Sequence, residues 1–444
     1  LKTNPYIHLI ISLICIALSG NNHLLYAQNE TVGDNLNDTY YDEGHMRYNN
    51  FVYDNQIKTV MLRKKGNPIS AAVLKLNSDD VLVLKFDDLD LEIKDYSYEI
   101  IHCNFDWTAS DLMNTEYIDG YLEDYIRIFK NSFNTLIPYV NYQVEIPNEN
   151  MKPTKSGNYI LKVFKDDDKE NIILTRRFIV YEDIVTIDAR VKMPDQIDER
   201  DYRQEVDFTI AHNNYDILNP YQALHILLQQ NNRWDNAITE LKPLFVKNNE
   251  LVYDYAEENV FDGGNEFRFF NSKSINYRTI EIDQIVYDSS TYNFHLSNDI
   301  RRTFKQYYAI ADANGNFLPD NENGDYADTD ADYVKVHFSL PLEAPMIKGN
   351  FYILGNLTEW QFKDSHQLIY NYKERKYQRT VLLKQGYYNY CYGFVADQSN
   401  QADITLIEGN HYETENDYTI FAYYRDDSER YDRIIGATFF NTFN

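Results

Sequence analysis

The stretch Tyr333-Val334-Lys335-Val336-His337-Phe338-Ser339-Leu340 sets Val334, Val336, Phe338 and Leu340 on one face of an extended chain and Lys335 and His337 on the other. A period of two marks a strand with one buried face, because successive side chains leave a pleated backbone on opposite sides. The reading extends outward in both directions. Upstream lie Val81 to Phe86, Tyr96 to Phe105, Asn158 to Phe164, Arg177 to Tyr181, Val206 to Ile210 and Leu224 to Leu228. Downstream lie Phe351 to Gly355, Tyr377 to Leu383, Tyr387 to Val395 and Tyr418 to Tyr424. Short strands at such spacing, parted by turn residues, predict an all-β protein built of sandwiches. Only Ala109 to Phe129 mixes acidic and apolar residues without that period, and it reads as a short helix or a long loop.

At 444 residues the chain is too long for one ordinary sandwich. It suits roughly three to four modules of about 100 residues. Tyr and Phe dominate an aromatic content of 15%, which favours pleated surfaces where a ring can lie flat on its neighbours. Only 11 Pro and 16 Gly are present, so turns fall to Asn and Asp, which tolerate left-handed backbone. We divide the chain into a segment 28–50, rich in Asn and Asp, a first sandwich at 51–182, a second at 183–340 and a third at 341–444, with Pro341 and Pro345 marking the last linker. Trp107, Trp234 and Trp360 then fall one to each, as in immunoglobulin-like sandwiches with a core tryptophan. The fold expected is three consecutive sandwiches of that kind.

With 42 basic against 69 acidic side chains the formal net charge is -27. Such a surface repels phosphate backbones and anionic lipid, which argues against nucleic acid and against membrane-surface binding. The apolar run Ile7 to Leu18 follows Lys2 and precedes Leu25-Tyr26-Ala27 and Gln28. It is too short to span a bilayer, which needs about 20 apolar residues, and it fits the core of a secretory signal peptide covering 1–27, cleaved between Ala27 and Gln28. No later segment approaches spanning length, so the mature chain is expected outside the cytoplasm and not inserted in a membrane. Cleavage removes Cys15 and leaves Cys103 and Cys391, which read as isolated buried thiols rather than a disulfide framework.

The chemistry-bearing motifs are few. Asp312, Asn314, Asn316, Asp320 and Glu322 begin like a calcium loop, because clustered hard oxygens are what Ca²⁺ takes. The sixth position is Phe317 instead of Gly and the twelfth is Asn323 instead of Glu, so we read the run as a solvated hairpin loop before a calcium site. No His pair stands at metal spacing, and no nucleophile elbow, phosphate loop or dinucleotide fingerprint occurs; neither an enzyme nor a bound cofactor is expected. Tyr388, Tyr390, Tyr392 and Phe394 alternate onto one strand face. They read first as core, and otherwise as a stacking platform for sugar rings or a protein interface, which keeps a glycan-binding protein as the alternative function.

The run Tyr98-Glu99-Ile100-Ile101-His102-Cys103-Asn104-Phe105-Asp106-Trp107, with Ser110-Asp111-Leu112 and Glu116 to Tyr121, resembles the first domain of the type IX secretion system plug protein family. Ser156-Gly157-Asn158-Tyr159, Thr175-Arg176-Arg177-Phe178, Lys384 to Tyr390 and Thr414 to Tyr418 continue the likeness in order. The third segment also resembles early-set, glycogen-binding-like domains through Leu354 to Trp360 and Gly386 to Tyr390. After Phe394, however, Val395-Ala396-Asp397-Gln398 lacks the ring that would stack a second sugar. The plug resemblance implies a non-enzymatic periplasmic protein that closes the periplasmic opening of a large outer-membrane translocon β-barrel. Asn104, Phe105, Asp106, Trp107, Asp111, Tyr117, Asp119 and Tyr121 are the candidate interaction residues, against the plainer reading that this loop serves only the first domain's packing.

Overall fold

The period-two stretch forms the strand Tyr333–Pro341, with Val334, Val336, Phe338 and Leu340 all buried. The computed structural model describes residues 45–322 and 326–443. The signal-peptide reading, its cleavage site, Cys15, Asn323 and most of 28–50 lie outside the described residues.

The first sandwich draws its strands from 51 to 181. One sheet runs Phe51–Val52, Asp168–Tyr181, Gly157–Lys165, Tyr96–Cys103, Asp124–Tyr125 in spatial order, with Val73–Lys75 added in parallel to Asp168–Tyr181. The facing sheet is Ile57–Lys64, Leu82–Asp88, Val140–Ile146, Ile128–Asn131. Leu82, Leu84, Phe86, Tyr98, Ile100, Tyr142, Tyr159 and Leu161 meet between them. The ambiguous 109–129 segment resolves into the short helix Asn114–Tyr117 and three small strands.

The expected boundary at 340/341 does not separate two cores. The second sandwich pairs Thr186–Lys192, Arg203–Ala211, Glu250–Tyr253 and Phe245–Val246 in one sheet, with Val260–Asp262 at its side. Its other sheet is Leu224–Gln230 beside the C-terminal hairpin Asp417–Tyr424 and Arg433–Asn441. The third sandwich is therefore inserted into the second. Its sheets are Ile282–Tyr287, Tyr292–Leu296, Tyr333–Pro341, Lys376–Lys384, Ile369–Asn371 and, facing them, strands grouped on Gly386–Ala396. The physical reason is visible in the hairpin. Tyr418, Ile420, Ala422 and Tyr424 alternate inward on the same face as Leu224, Ile226 and Leu228 and share one core with them. Burying an apolar side chain of this size contributes about 1.5–3 kcal/mol, so the non-local pairing wins.

The tyrosine excess goes to the cores. The largest fully buried side chains are all tyrosines, among them Tyr96, Tyr142, Tyr159, Tyr253, Tyr392 and Tyr418. A buried phenol needs a partner for its hydroxyl. Tyr96 donates to Asp88 at 2.8 Å, Tyr142 to the Lys94 carbonyl at 3.2 Å and Tyr159 to the Lys155 carbonyl at 2.8 Å. Each ring fills the sandwich while its polar tip reaches the rim.

The three tryptophans mark junctions rather than separate cores. Trp107 meets Trp234 edge to face at 5.1 Å, and the Arg177 guanidinium lies over both rings at 4.2 and 4.9 Å. Trp360 packs on Phe267 at 5.8 Å beneath Arg233. Indoles serve these seams because a large ring with one donor tolerates a cation above it.

Candidate functional site

The loop that begins at Asn104 is a clasp between the first two sandwiches. Asp106 accepts from the Thr108 N–H at 3.0 Å and its hydroxyl at 2.6 Å, and Trp107 takes a left-handed φ of 64°. That turn points Phe105 and Trp107 toward the second sandwich. Phe105 stacks on His225 at 4.8 Å and edges Tyr423 at 4.9 Å, while its N–H donates to Asp432 at 2.8 Å. The Asn104 side-chain oxygen accepts from Arg425 at 2.8 Å, and Arg425 pairs with Asp432. Among the candidate residues, Tyr117 is buried in the first core and Trp107 in the seam, so neither can meet a partner. Asp106, Asp111, Asp119 and Tyr121 are exposed.

The calcium-like residues diverge. The Asp312 carboxylate accepts from the backbone N–H groups of Phe267 and Asn314, and Asn314 donates to Asp417 at 2.8 Å. Asn316 donates to the Ala313 carbonyl and accepts from Asn356. Glu322 accepts from Ser274 at 2.9 Å and Asn276 at 2.7 Å, and Asp320 accepts from the Asn321 N–H at 2.9 Å. The residues bond to separate parts of the fold instead of converging on one point. Burial, with Glu266 and Glu415 nearby against its two N–H donors, pushes Asp312 up to about 7. A second acidic group, Asp195, Glu205 and Asp254, surrounds the Lys192 ammonium, which lies 3.0 Å from Glu205 and 3.4 Å from the other two. The cation's place there is taken by a side chain.

Tyr388, Tyr390 and Tyr392 are buried, and Phe394 packs half-buried against the same core. Tyr390 and Tyr392 both donate to Asp299 at 2.7 Å. No sugar can stack on rings so placed, which removes the platform the glycan alternative needs.

Those hydroxyls lead to a surface that the strand pattern did not reveal. Between Tyr292–Leu296 and Phe317–Pro319 the chain runs irregularly through 297–316. Loops beyond about 12–15 residues without secondary structure are uncommon and usually have a task. Here the loop is anchored from below. Arg268 donates to both Glu408 oxygens at 3.0 Å, to Asp299 at 2.8 Å and to the Ile300 carbonyl at 2.7 Å. Arg302 donates to Glu408 at 2.9 and 2.7 Å and to the Glu266 carbonyl at 2.9 Å. The Tyr392 N–H adds a further donor to Glu408 at 2.9 Å. Burial works to raise the Glu408 carboxyl, but the two guanidiniums outweigh it and hold it below the ordinary range. Every charge in this network is matched, and together the bonds hold the loop in place.

Above the anchor the loop exposes Phe304 at 91%, Tyr308 at 77% and Ile300 at 53% of their surface. Arg301 lies 5.4 Å over the Phe304 ring. A sequence signal was present: Arg301, Arg302 and Lys305 cluster around Phe304 in a chain of net charge -27. Aromatic and Arg side chains are the types enriched at protein interfaces. Among the described residues no helix is long and apolar enough to cross a membrane.

The family model described as "Type 9 secretion system plug protein 1st domain" matches residues 57–182, the first sandwich. No curated protein matches the chain. The crystal structure of a hypothetical protein from Parabacteroides merdae is similar, with 36% identity and a TM-score of 0.86; the match covers 89% of this chain and 100% of that one.

Proposed function

The first sandwich of this chain belongs to the type IX secretion system plug protein family, and we propose on that premise that the chain acts without chemistry of its own, binding and occluding the periplasmic opening of the outer-membrane translocon barrel. The family match over 57–182 carries the proposal. It associates the chain with the cell envelope and with an outer-membrane component of that system. The finer reading, a periplasmic body seated on the barrel, draws support from three features.

A stopper must be stiff, must present a surface and must be removable. Stiffness draws on topology, because the chain crosses twice between the second sandwich and the third, once on each side of the insertion. The surface we assign to the 297–316 loop, whose exposed Phe304 and Tyr308 stand on a paired, buried anchor. Pre-ordering a loop cuts the entropy lost on docking. A contact dominated by two or three such side chains can hold a complex and still release it, since a few anchors carry most of an interface's energy.

The test is recovery of the barrel. A tagged copy purified from native envelopes in mild detergent is expected to bring down one very large outer-membrane barrel at near-equal amount. A photo-crosslinker at Phe304 or Tyr308 is expected to attach to it. Joint Phe304→Ala and Tyr308→Ala substitution should cut recovery about tenfold or more while leaving the melting temperature unchanged, in line with hot-spot losses of ~2 kcal/mol. Absence of any barrel across several detergents and salts would sink occlusion; undiminished recovery by the double variant would sink the loop's part in it.

A further inference from the structure

From Ile300 to Ala311 the chain carries Arg301, Arg302 and Lys305 and not one Asp or Glu, in a protein of 69 acidic against 42 basic side chains. Arg302 is neutralised by the buried Glu408 beneath the loop. Arg301 and Lys305 are exposed, and neither has an ion pair among the described residues. They stand on either side of Phe304, the most exposed ring of the loop.

The turn that carries them is held in one shape. The Lys305 N–H donates to the Arg302 carbonyl at 2.9 Å, which places Phe304 at the tip. The Thr303 hydroxyl donates to the Leu406 carbonyl at 2.5 Å, and the same carbonyl takes the Arg301 Nε at 2.8 Å. Arg301 Nε also reaches the Thr303 hydroxyl at 2.9 Å. These bonds engage one end of the guanidinium, which lies 5.4 Å over the Phe304 ring. Its two terminal nitrogens have no partner among the described residues. A fork fixed at Nε and open at its tips can take a carboxylate through two parallel hydrogen bonds.

Exposed rings alone do not distinguish one partner from another, but the sign of the charge beside them does. A neutral or basic counterpart would strip water from both cations as Phe304 is buried and offer no anion in return, which is costly. An anionic lipid surface would attract these two cations while repelling a chain of net charge -27. A short acidic segment within another protein meets the loop alone, because charges beyond a Debye length of about 8 Å are largely screened.

We propose that this loop docks against an acidic segment of its protein partner, with the Phe304 ring in an apolar pocket, one carboxylate in the Arg301 fork and a second beside Lys305. The inference rests on the reading of this loop as the barrel contact and adds the chemistry of the surface it meets. Phe304 and Tyr308 supply the anchors, while Arg301 and Lys305 set orientation and partner choice.

The probe is the translocon barrel itself, recovered on the tagged chain in mild detergent. The Lys305 side chain makes no hydrogen bond or ion pair among the described residues, so Lys305→Glu should leave the melting temperature unchanged. It is expected to cut recovery about tenfold or more at low salt. Arg301→Lys keeps the charge and loses the fork, and recovery should fall about threefold or more. High salt should weaken the unsubstituted complex and narrow its difference from Lys305→Glu, because the ion pairs are screened. A photo-crosslinker at Tyr308 should map to a barrel peptide bearing Asp or Glu, and changing that residue to Lys should restore recovery by Lys305→Glu. Undiminished recovery by either variant, or a crosslinked segment without a carboxylate, would overturn the inference and leave occlusion standing. Absence of any barrel is instead the failure of the occlusion reading, and the inference falls with it. Sedimentation of the purified chain with phosphatidylglycerol vesicles, abolished by Lys305→Glu, would also overturn it, by making the loop a lipid contact.

Discussion

Replacing Glu408 with Gln tests the anchor under the exposed loop. Glu408 is 1% exposed and neutralises two guanidiniums, Arg268 and Arg302, while also accepting the Tyr392 N–H. The substitution keeps the side chain's shape, leaves one carbonyl oxygen to accept, and turns an NH₂ group toward a cation. Arg268 retains Asp299 at 2.8 Å, but Arg302 loses its only carboxylate among the described residues. Removing one partner of a buried ion pair costs about 3–5 kcal/mol, because a charge is left desolvated and unmatched. The loss should be felt first where Arg302 holds the loop. A cost of ~3 kcal/mol raises the local opening constant about 150-fold, and cleavage tracks that constant when reclosing is fast. Limited trypsin digestion provides the assay, since Arg301, Arg302 and Lys305 all lie on the loop. Cutting there should accelerate by about two orders of magnitude, while cutting at exposed Lys247 in the second sandwich stays unchanged. A denaturant midpoint equal to that of the unsubstituted chain, together with loop cleavage accelerated by less than threefold, would refute the reasoning.

Two further outcomes are expected. Trp107→Ala should cost about 3–5 kcal/mol in equilibrium unfolding, the range for a large buried aromatic, and should loosen the first sandwich from the second before either core melts, read as loss of hydrogen-exchange protection around Trp234. His102 is buried with Nε2–H donating to the Ser156 carbonyl at 3.0 Å, beside Gly157, where a Cβ would sit 2.3 Å from that nitrogen. Burial lowers its pKa to about 4. The unfolded chain therefore takes up a proton below the ordinary value of about 6.5 that the folded chain refuses, so this contribution is complete above pH ~6.5 and is lost as the pH falls toward 4 at about 1.4 kcal/mol per unit. His337 and His366, lowered by burial to about 4 and about 3, act in the same sense, so melting temperatures across that window should fall on acidification, and His102→Gln should flatten the slope by one proton. Asp312, raised to about 7, acts in the opposite sense, so an unchanged slope in the variant would exclude His102 as the source.

Strand identity was legible wherever one face of a strand meets a core. Val334 to Leu340 and Tyr388 to Tyr392 are buried on the face their alternation assigns. The Asn104 to Trp107 motif was legible as something specific but not as what it is. Its residues look like a presented surface because their partners, His225, Tyr423, Arg425 and Asp432, lie far along the chain. The tryptophans misled for a related reason: one per segment suits one per core equally well as a seam shared by two. The 297–316 loop carried no periodic pattern, and its basic, aromatic composition gained meaning only once Glu408, over 100 residues away, was seen to hold it.

By itself the sequence determined that this is an all-β, tyrosine-rich, acidic chain without a catalytic motif, because those properties depend on local alternation and on composition. Only the tertiary structure decided that the third sandwich is inserted into the second, that the motif loop is a clasp, and that Phe304 and Tyr308 stand exposed on a paired anchor. Period two tells which face of a strand is buried; it does not tell which strand will lie beside it. That choice is made by matching apolar faces and charges across hundreds of residues, where loop-closure entropy grows only slowly with separation and a good partner far away can displace a poor one nearby.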